Sequence, residues 1–136
     1  MQKRPGILLL LAIAIIVAGC GSSSGSGSKN ASTTTTAPNY LDQTGTRVVT
    51  ITARDDIFTP QFVKVRKGTT VIFENNGRNE HNVVSADGAF KDITTAAFEP
   101  GAQARVTLTT TGTHNYFCSL HGTATNGMRG AFLVVP

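Results

Sequence analysis

Residues 112–135, GTHNYFCSLHGTATNGMRGAFLVV, contain two strand patterns separated by a loop that includes glycines. Aromatic and β-branched residues are concentrated in segments 114–118 and 131–135, and no helical period runs through either segment. Such residues favour β-strands, whereas glycine gives a loop conformational freedom. We therefore predict two β-strands joined by a loop in this stretch.

Short strand patterns continue from this stretch towards the N-terminus. Residues 62–66 alternate most clearly, with valines on one face and Lys64 and Arg66 on the other. The other predicted strands are 48–52, 71–74, 81–85 and 105–109. For residues 86–100, the least strand-like stretch, we predict a long connection with one helical turn around Thr94–Phe98. Seven short strands in about 90 residues predict an all-β fold, a β-sandwich.

A thiol, an imidazole and a thioether occur within eleven residues, as Cys118, His121 and Met128. A second imidazole, His81, stands 37 positions before Cys118, at the start of a predicted strand. Two imidazoles and a thiolate with a weakly bound thioether are the ligands of a blue-copper electron-transfer site. We therefore predict that these four residues bind one copper ion.

The geometry of this ligand set is only partly fixed by the sequence. His121 cannot reach the metal from the same strand as Cys118, so we expect a turn between them. If Met128 only fills the core, Gln103 or the main-chain carbonyl of Glu80 would replace it as the axial ligand. His114 shares a strand face with Cys118, and we expect a part-buried sandwich residue there rather than a ligand.

Around these residues the chain resembles the cupredoxins, specifically the plastocyanin and azurin group. The similarity covers Phe58–Val83 and Gly112–Gly130, and it includes all four ligand types in order. It implies a Greek-key β-sandwich that holds one type 1 copper ion per chain.

The same resemblance implies a role for each site residue. His81, Cys118 and His121 would be the strong copper ligands, and Met128 would be the axial one. Asn82 would form hydrogen bonds across to the Cys118 loop, the kind of support that orients ligands and tunes the metal.

The first 20 residues have the features of an export signal. Lys3 and Arg4 precede a run of twelve apolar residues, Ile7–Ala18. That run is shorter than the about 20 residues of a membrane span, but it fits a signal peptide. It ends in VAGC, residues 17–20, which resembles the lipobox of bacterial lipoproteins and implies lipidation of Cys20. We expect the chain to be anchored at the outer face of the bacterial cytoplasmic membrane, periplasmic or at the cell surface.

These features divide the chain into three parts. Residues 1–19 are predicted to be a lipoprotein signal peptide, and residues 20–45 a lipidated cysteine and a disordered linker rich in Ser, Thr and Gly. Residues 46–136 are predicted to be a single copper-binding domain. The formal net charge of +4 comes with no basic stripe, so we expect no nucleic-acid partner.

The function that these predictions favour is one-electron transfer between a redox donor and a redox acceptor outside the cytoplasm. The protein would be a monomer that docks transiently with its partners, and it would not be an enzyme. Copper binding and delivery without electron transfer is the alternative. Two further possibilities are weaker: a cysteine hydrolase lacks an orienting group and an oxyanion donor in this sequence, and zinc gains little from a thioether ligand.

Overall fold

The computed structural model describes residues 37–136. Within them the chain forms short β-strands and a single turn of 3₁₀-helix. The strands are β1 (Leu41–Asp42), β2 (Val48–Arg54), β3 (Ile57–Thr59), β4 (Phe62–Arg66), β5 (Thr70–Asn75), β6 (Val84–Ser85), β7 (Gln103–Thr107), β8 (Gly112–Gly122) and β9 (Gly127–Val135), and the helical turn is Thr95–Ala97.

These strands form two sheets. One sheet has the strand order β1-β4-β9-β8-β6, and the other has the order β3-β2-β5-β7. Consecutive strands β4 and β5 lie in different sheets, as do β7 and β8, so the chain crosses repeatedly between the sheets. The all-β sandwich predicted from the sequence is confirmed.

Tyr116 on β8 lies at the centre of the aromatic core between the sheets. Its ring stacks on Phe132 at a centroid distance of 4.7 Å, and Phe58 and Phe73 meet it edge-on at 5.1 and 5.4 Å. Alternation along β8 directs Cys118 to the same interior as Tyr116, and both side chains are fully buried. The strand that carries the thiol is therefore held in place by the aromatic core.

Two short strands were not predicted. β3 pairs with β2 through a tight turn, and β1 pairs in parallel with β4. β1 lies inside the stretch that the sequence analysis assigned to the linker, and Tyr40 just before it packs edge-on against Phe62. A strand of two exposed residues has no alternation to detect, which is why the sequence pattern did not reveal it.

The long connection between β6 and β7 contains its predicted helical turn, as the 3₁₀ segment Thr95–Ala97. The predicted signal peptide, Cys20 and most of the predicted linker lie outside the described residues. Within residues 37–136, no helix combines the length and the hydrophobicity needed to cross a bilayer.

His114 fastens this connection to β8. Its ring is almost completely buried; Nδ1 lies 2.7 Å from Asp87 Oδ2 and Nε2 lies 2.9 Å from the Thr110 carbonyl oxygen. Both partners are acceptors when Asp87 is ionised, so both ring nitrogens donate and the ring is an imidazolium. Burial lowers the pKa of His114, but the hydrogen bonds to Asp87 and Thr110 and the charge of Asp87 outweigh it, and the net shift is upward.

This ion pair gives the stability of the domain a specific pH dependence. The pKa of His114 is raised, so its contribution is complete below the ordinary value of 6.5 and is lost as the pH rises through the raised pKa. The pKa of Asp87 is lowered in spite of its desolvation, chiefly by the His114 hydrogen bond, so its contribution is lost only as the pH falls below 3.8. We expect the difference in free energy of unfolding between wild type and His114→Gln to be largest from about pH 4 to pH 6.5. Urea unfolding of the two apo-proteins from pH 4 to 9 measures it, and a difference that stays constant up to pH 9 would contradict the imidazolium assignment.

At Gly130, the main chain of β9 packs directly against the ring of Tyr116 in the aromatic core. A Cβ atom at this position would collide with the phenol of Tyr116 and stand 2.5 Å from the Gln61 carbonyl oxygen. Gly45, in an exposed turn, has no atom within 4 Å of such a Cβ. Gly45 therefore serves as the control position for a substitution at Gly130.

We expect Gly130→Ala to destabilise the domain by about 1–3 kcal/mol, because the added methyl must displace a buried ring. Gly45→Ala is expected to change the free energy of unfolding by less than about 0.5 kcal/mol. Urea unfolding of both variants tests the packing, and equal effects at the two positions would show that β9 does not press on Tyr116 as described.

Candidate metal centre

The site is built first on β8, where Cys118 points into the sandwich. His114, Tyr116 and Cys118 are buried in turn, while the residues between them are exposed or half-buried. Leu120 breaks this alternation: a regular strand would bury it, yet it is 52% exposed. The direction of the side chains therefore changes just after Cys118.

That change explains how His121 joins Cys118. The pairing of β8 with β9 is regular up to Phe117 opposite Arg129, and resumes out of register with Gly122 opposite Gly127. The expected turn between Cys118 and His121 is absent, because β8 continues through both residues and a bulge-like irregularity reorients the strand instead. As a result His121 Nδ1 lies 3.5 Å from Cys118 Sγ, although the two residues are three positions apart.

Two glycines allow the strand and loop beyond His121 to fold tightly. A Cβ atom on Gly122 would stand 2.5 Å from the main-chain nitrogen of Met128, and Gly127 has a φ angle of 72°. The Thr123 amide donates to the Asn126 carbonyl at 2.8 Å and closes the loop. The loop returns the chain to Met128, whose side chain is buried.

His81 is brought to the site by a loop organised around Asn75. The buried Asn75 side chain donates from Nδ2 to the carbonyl oxygens of Asn79 and Phe98, at 3.0 and 2.9 Å, and accepts from the Gly77 amide at 3.1 Å. One side chain therefore fixes the whole 76–80 segment that leads into His81. The sequence analysis did not single out Asn75; its signal was an amide at an inward position of an alternating strand.

The three strong donors converge on one point. His81 Nδ1 lies 3.2 Å from His121 Nδ1, and Cys118 Sγ lies 3.5 Å from His121 Nδ1 and 3.8 Å from His81 Nδ1. A point equidistant from three atoms with these separations lies about 2.0 Å from each, which is the length of a metal–imidazole bond and a little shorter than a metal–thiolate bond. The arrangement therefore fits one metal ion with trigonal N₂S coordination.

The electrostatics also favour a metal over a proton. Burial, helped by the adjacent His121, lowers the pKa of His81, while Asp56 and Asp55 oppose this weakly. A neutral His81 offers a lone pair, as ligation requires. Its other ring nitrogen, Nε2, is buried and has no hydrogen-bond partner among the described residues.

Asn82 connects the two halves of the site. Its Oδ1 accepts from the Ser119 amide, and its Nδ2 donates to Ser119 Oγ, both at 2.8 Å. These two bonds fasten the residue after His81 to the residue after Cys118, across 37 positions of sequence. The cross-link lies where the resemblance implied it.

Two residues considered in the sequence analysis lie outside the ligand set. Gln103 is exposed and donates from Nε2 to Glu74 Oε1 at 2.8 Å, so it does not replace Met128 as the axial ligand. His114 is engaged by Asp87 and Thr110, as described above.

Comparison with known proteins identifies the family. The chain matches the cupredoxin-like domain family over residues 9–134 and belongs to that family. It is 35% identical over 86 residues to chloroplastic plastocyanins of Hordeum vulgare and of Oryza sativa subsp. indica. That alignment takes in 57% of this chain and 54% of each plastocyanin, so the chain spans about half the length of these curated relatives.

Solved structures show the same fold at low identity. Amicyanin from Paracoccus versutus superposes with a TM-score of 0.54 at 22% identity, over 65% of this chain and 81% of amicyanin. A purple cupredoxin from Nitrosopumilus maritimus gives 0.52 at 21% identity, over 64% and 99% of the two chains. Auracyanin from Roseiflexus castenholzii gives 0.51 at 18% identity, over 67% and 98%.

Family and geometry together define the cofactor. His81, Cys118, His121 and Met128 are arranged as a type 1 copper site. The copper predicted from the ligand types is confirmed, and the thioether distinguishes the set from the N, S and O ligands that zinc prefers.

The Asn82–Ser119 cross-link should strengthen copper binding. We expect Asn82→Ala, which removes both hydrogen bonds, to weaken Cu(I) binding by about 10–100-fold, because the two ligand segments are no longer fastened together. Ser119→Ala removes only the hydroxyl bond and keeps the amide bond, so its loss should be smaller. Competition with a chromophoric Cu(I) chelator measures both, and equal affinities for Asn82→Ala and wild type would show that the cross-link does not preform the site.

Proposed function

We propose that this protein carries single electrons between a redox donor and a redox acceptor outside the cytoplasm, while tethered to the membrane by a lipid on Cys20. The observation that carries this proposal is the convergence of three strong donor atoms on one point through contacts within the protein itself. Copper in such a site supplies a one-electron couple between Cu(I) and Cu(II).

The protein contributes rigidity to this function. Cys118 is held by the aromatic core, His81 by the Asn75 loop, and the segments after both ligands by Asn82. Donors that are already in place move little when the metal changes charge. A small rearrangement favours rapid electron transfer over chemistry that needs an open coordination position, and this supports a carrier rather than an enzyme.

Exposure of the site differs between its two histidines. His81 is fully buried, whereas the His121 side chain is 27% exposed. Leu120 beside it presents an apolar side chain to solvent. This edge supports transient docking of redox partners against His121, with the short, weak contacts that such encounters use.

The tether is supported by the sequence. The basic residues Lys3 and Arg4, the apolar run Ile7–Ala18 and Cys20 form a lipoprotein-type export signal. On this proposal the protein is a monomer at the outer face of a bacterial cytoplasmic membrane, and copper is acquired outside the cytoplasm.

A pair of cysteine substitutions separates the two parts of the proposal. Cys118→Ser is expected to abolish the intense blue absorption band and the narrow copper hyperfine splitting in EPR, because both arise from the thiolate. Cys20→Ser is expected to keep both signals and to lose the covalent lipid, detected by metabolic labelling with a fatty acid, because lipidation requires the thiol of Cys20. A blue Cys118→Ser protein would overturn the ligand assignment, and a wild-type protein that takes up no label would overturn the tether.

Electron transfer is tested against copper delivery on the wild-type protein. A carrier should show a reversible one-electron couple and fast self-exchange, and should release copper slowly to a chelator. Rapid release of copper combined with slow self-exchange would instead support the delivery role.

A further inference from the structure

A carboxylate stands behind the exposed copper ligand. Asp56 Oδ1 lies 3.6 Å from His121 Nε2, the ring nitrogen that is not aimed at the metal. The other nitrogen of the same ring, Nδ1, faces Cys118 and His81. Asp56 therefore lies beside the His121 ring on the side opposite to the metal-binding nitrogen.

The turn between β2 and β3 places Asp56 at this position. Arg54 pairs with Ile57, so Asp55 and Asp56 form a two-residue hairpin turn, with φ angles of 48° and 61°. Positive φ at both central residues is the conformation of a type I′ turn, which favours Asp and Asn. The backbone geometry of the turn therefore fixes the position of the Asp56 main chain.

A neighbouring loop fixes the orientation of the Asp56 carboxylate. Asn79 Nδ2 donates to Asp56 Oδ1 at 3.1 Å, the same oxygen that faces His121. The Asn79 main chain is in turn held by Asn75, and the Asn76 amide donates to the Ala53 carbonyl at 3.0 Å. The loop that leads into His81 therefore also orients Asp56.

We propose that Asp56 is a positioning residue for His121, which holds the ring with Nδ1 directed inward and lowers the reduction potential of the copper site. This inference rests on the proposed electron-transfer function. A carboxylate on the far nitrogen of a ligating histidine fixes the ring orientation and makes the imidazole a stronger donor. Its negative charge also stabilises Cu(II) relative to Cu(I), through the Coulomb interaction.

Asp55 provides a matched control. It is the adjacent residue of the same turn, but its carboxylate lies 3.6 Å from Arg54 Nε, and both side chains are largely exposed. Its charge is thus partly balanced by Arg54 and well screened by solvent. Replacing either aspartate with Asn removes one negative charge and suits the positive φ angle of the turn, so both variants should fold.

The experiment is a redox titration of the copper-loaded full chain in detergent at constant pH and salt concentration, and the blue absorption band monitors the fraction of Cu(II). We expect Asp56→Asn to raise the ratio of Cu(I) to Cu(II) at a given ambient potential by about tenfold, which equals about 59 mV for a one-electron couple. Asp55→Asn should give less than a third of that shift in potential. Equal shifts for the two variants, or no shift for Asp56→Asn, would overturn the inference.

A second measurement tests the positioning itself. In the reduced, diamagnetic wild-type protein, the proton on His121 Nε2 should be visible by NMR and exchange slowly with solvent, because the negative charge of Asp56, 3.6 Å from Nε2, attracts that proton. In Asp56→Asn and in Asn79→Ala this exchange should be at least severalfold faster, although Asn79→Ala keeps the charge of Asp56. Unchanged exchange in both variants would contradict the role of Asp56 in orienting the ring.

Failure of the proposed function gives a different result. Wild-type protein without a blue band or a reversible couple would refute electron carriage. A normal wild-type couple with indistinguishable Asp55→Asn and Asp56→Asn variants would refute only the role assigned to Asp56.

Discussion

A regular β-strand cannot direct Cys118 and His121 to the same point, because residues three positions apart lie on opposite faces. The register shift between Phe117 and Gly122 removes this conflict within a continuous strand. Regular alternation buries the thiol of Cys118, and the shift that follows it exposes Leu120 and turns His121 back towards the sulfur. The tight packing of Gly122 against Met128 is possible because glycine has no Cβ atom, which would stand 2.5 Å from the main-chain nitrogen of Met128.

Around that irregularity, asparagine side chains substitute for secondary structure. Asn75 holds the loop before His81, and Asn82 joins the segments after two ligands. An amide can donate and accept at once, so a single side chain can fix two backbone segments. These amides fix the loop segments of the site, while the aromatic core fixes the strand that carries Cys118.

Much of the fold followed from residue pattern, and the failures have physical reasons. The alternation of residues 62–66 and the aromatic run 114–118 predicted buried strands, and burial enforces such patterns. β1 has only two residues, both exposed, and β3 has three, of which only Phe58 is buried, so both strands are too short to show an alternating pattern. The sequence predicted a turn where β8 has an irregularity, because a turn and an irregular strand can each direct Cys118 and His121 to the same point.

The donor set was predictable because only a few metals accept thiolate, imidazole and thioether together. The position of Asp56 was not, since its approach to His121 depends on a hairpin turn and a loop from a different part of the chain. The residue types predicted the ligands, and the family resemblance implied Asn82, whereas Asn75 and Asp56 act through contacts between distant segments that no sequence pattern reveals.

The place of β9 in the sheet has a consequence for the order of assembly. β9 lies between β4 and β8, pairs with both, and carries Met128, while β1 joins the sheet only through β4. The larger sheet therefore cannot close until the segment up to Val135 has been delivered. Because the chain is synthesised from its N-terminus, Cys118 emerges before β9. Until β9 pairs with β8, the chain therefore depends on an environment that neither oxidises the thiol nor loads it with the wrong metal.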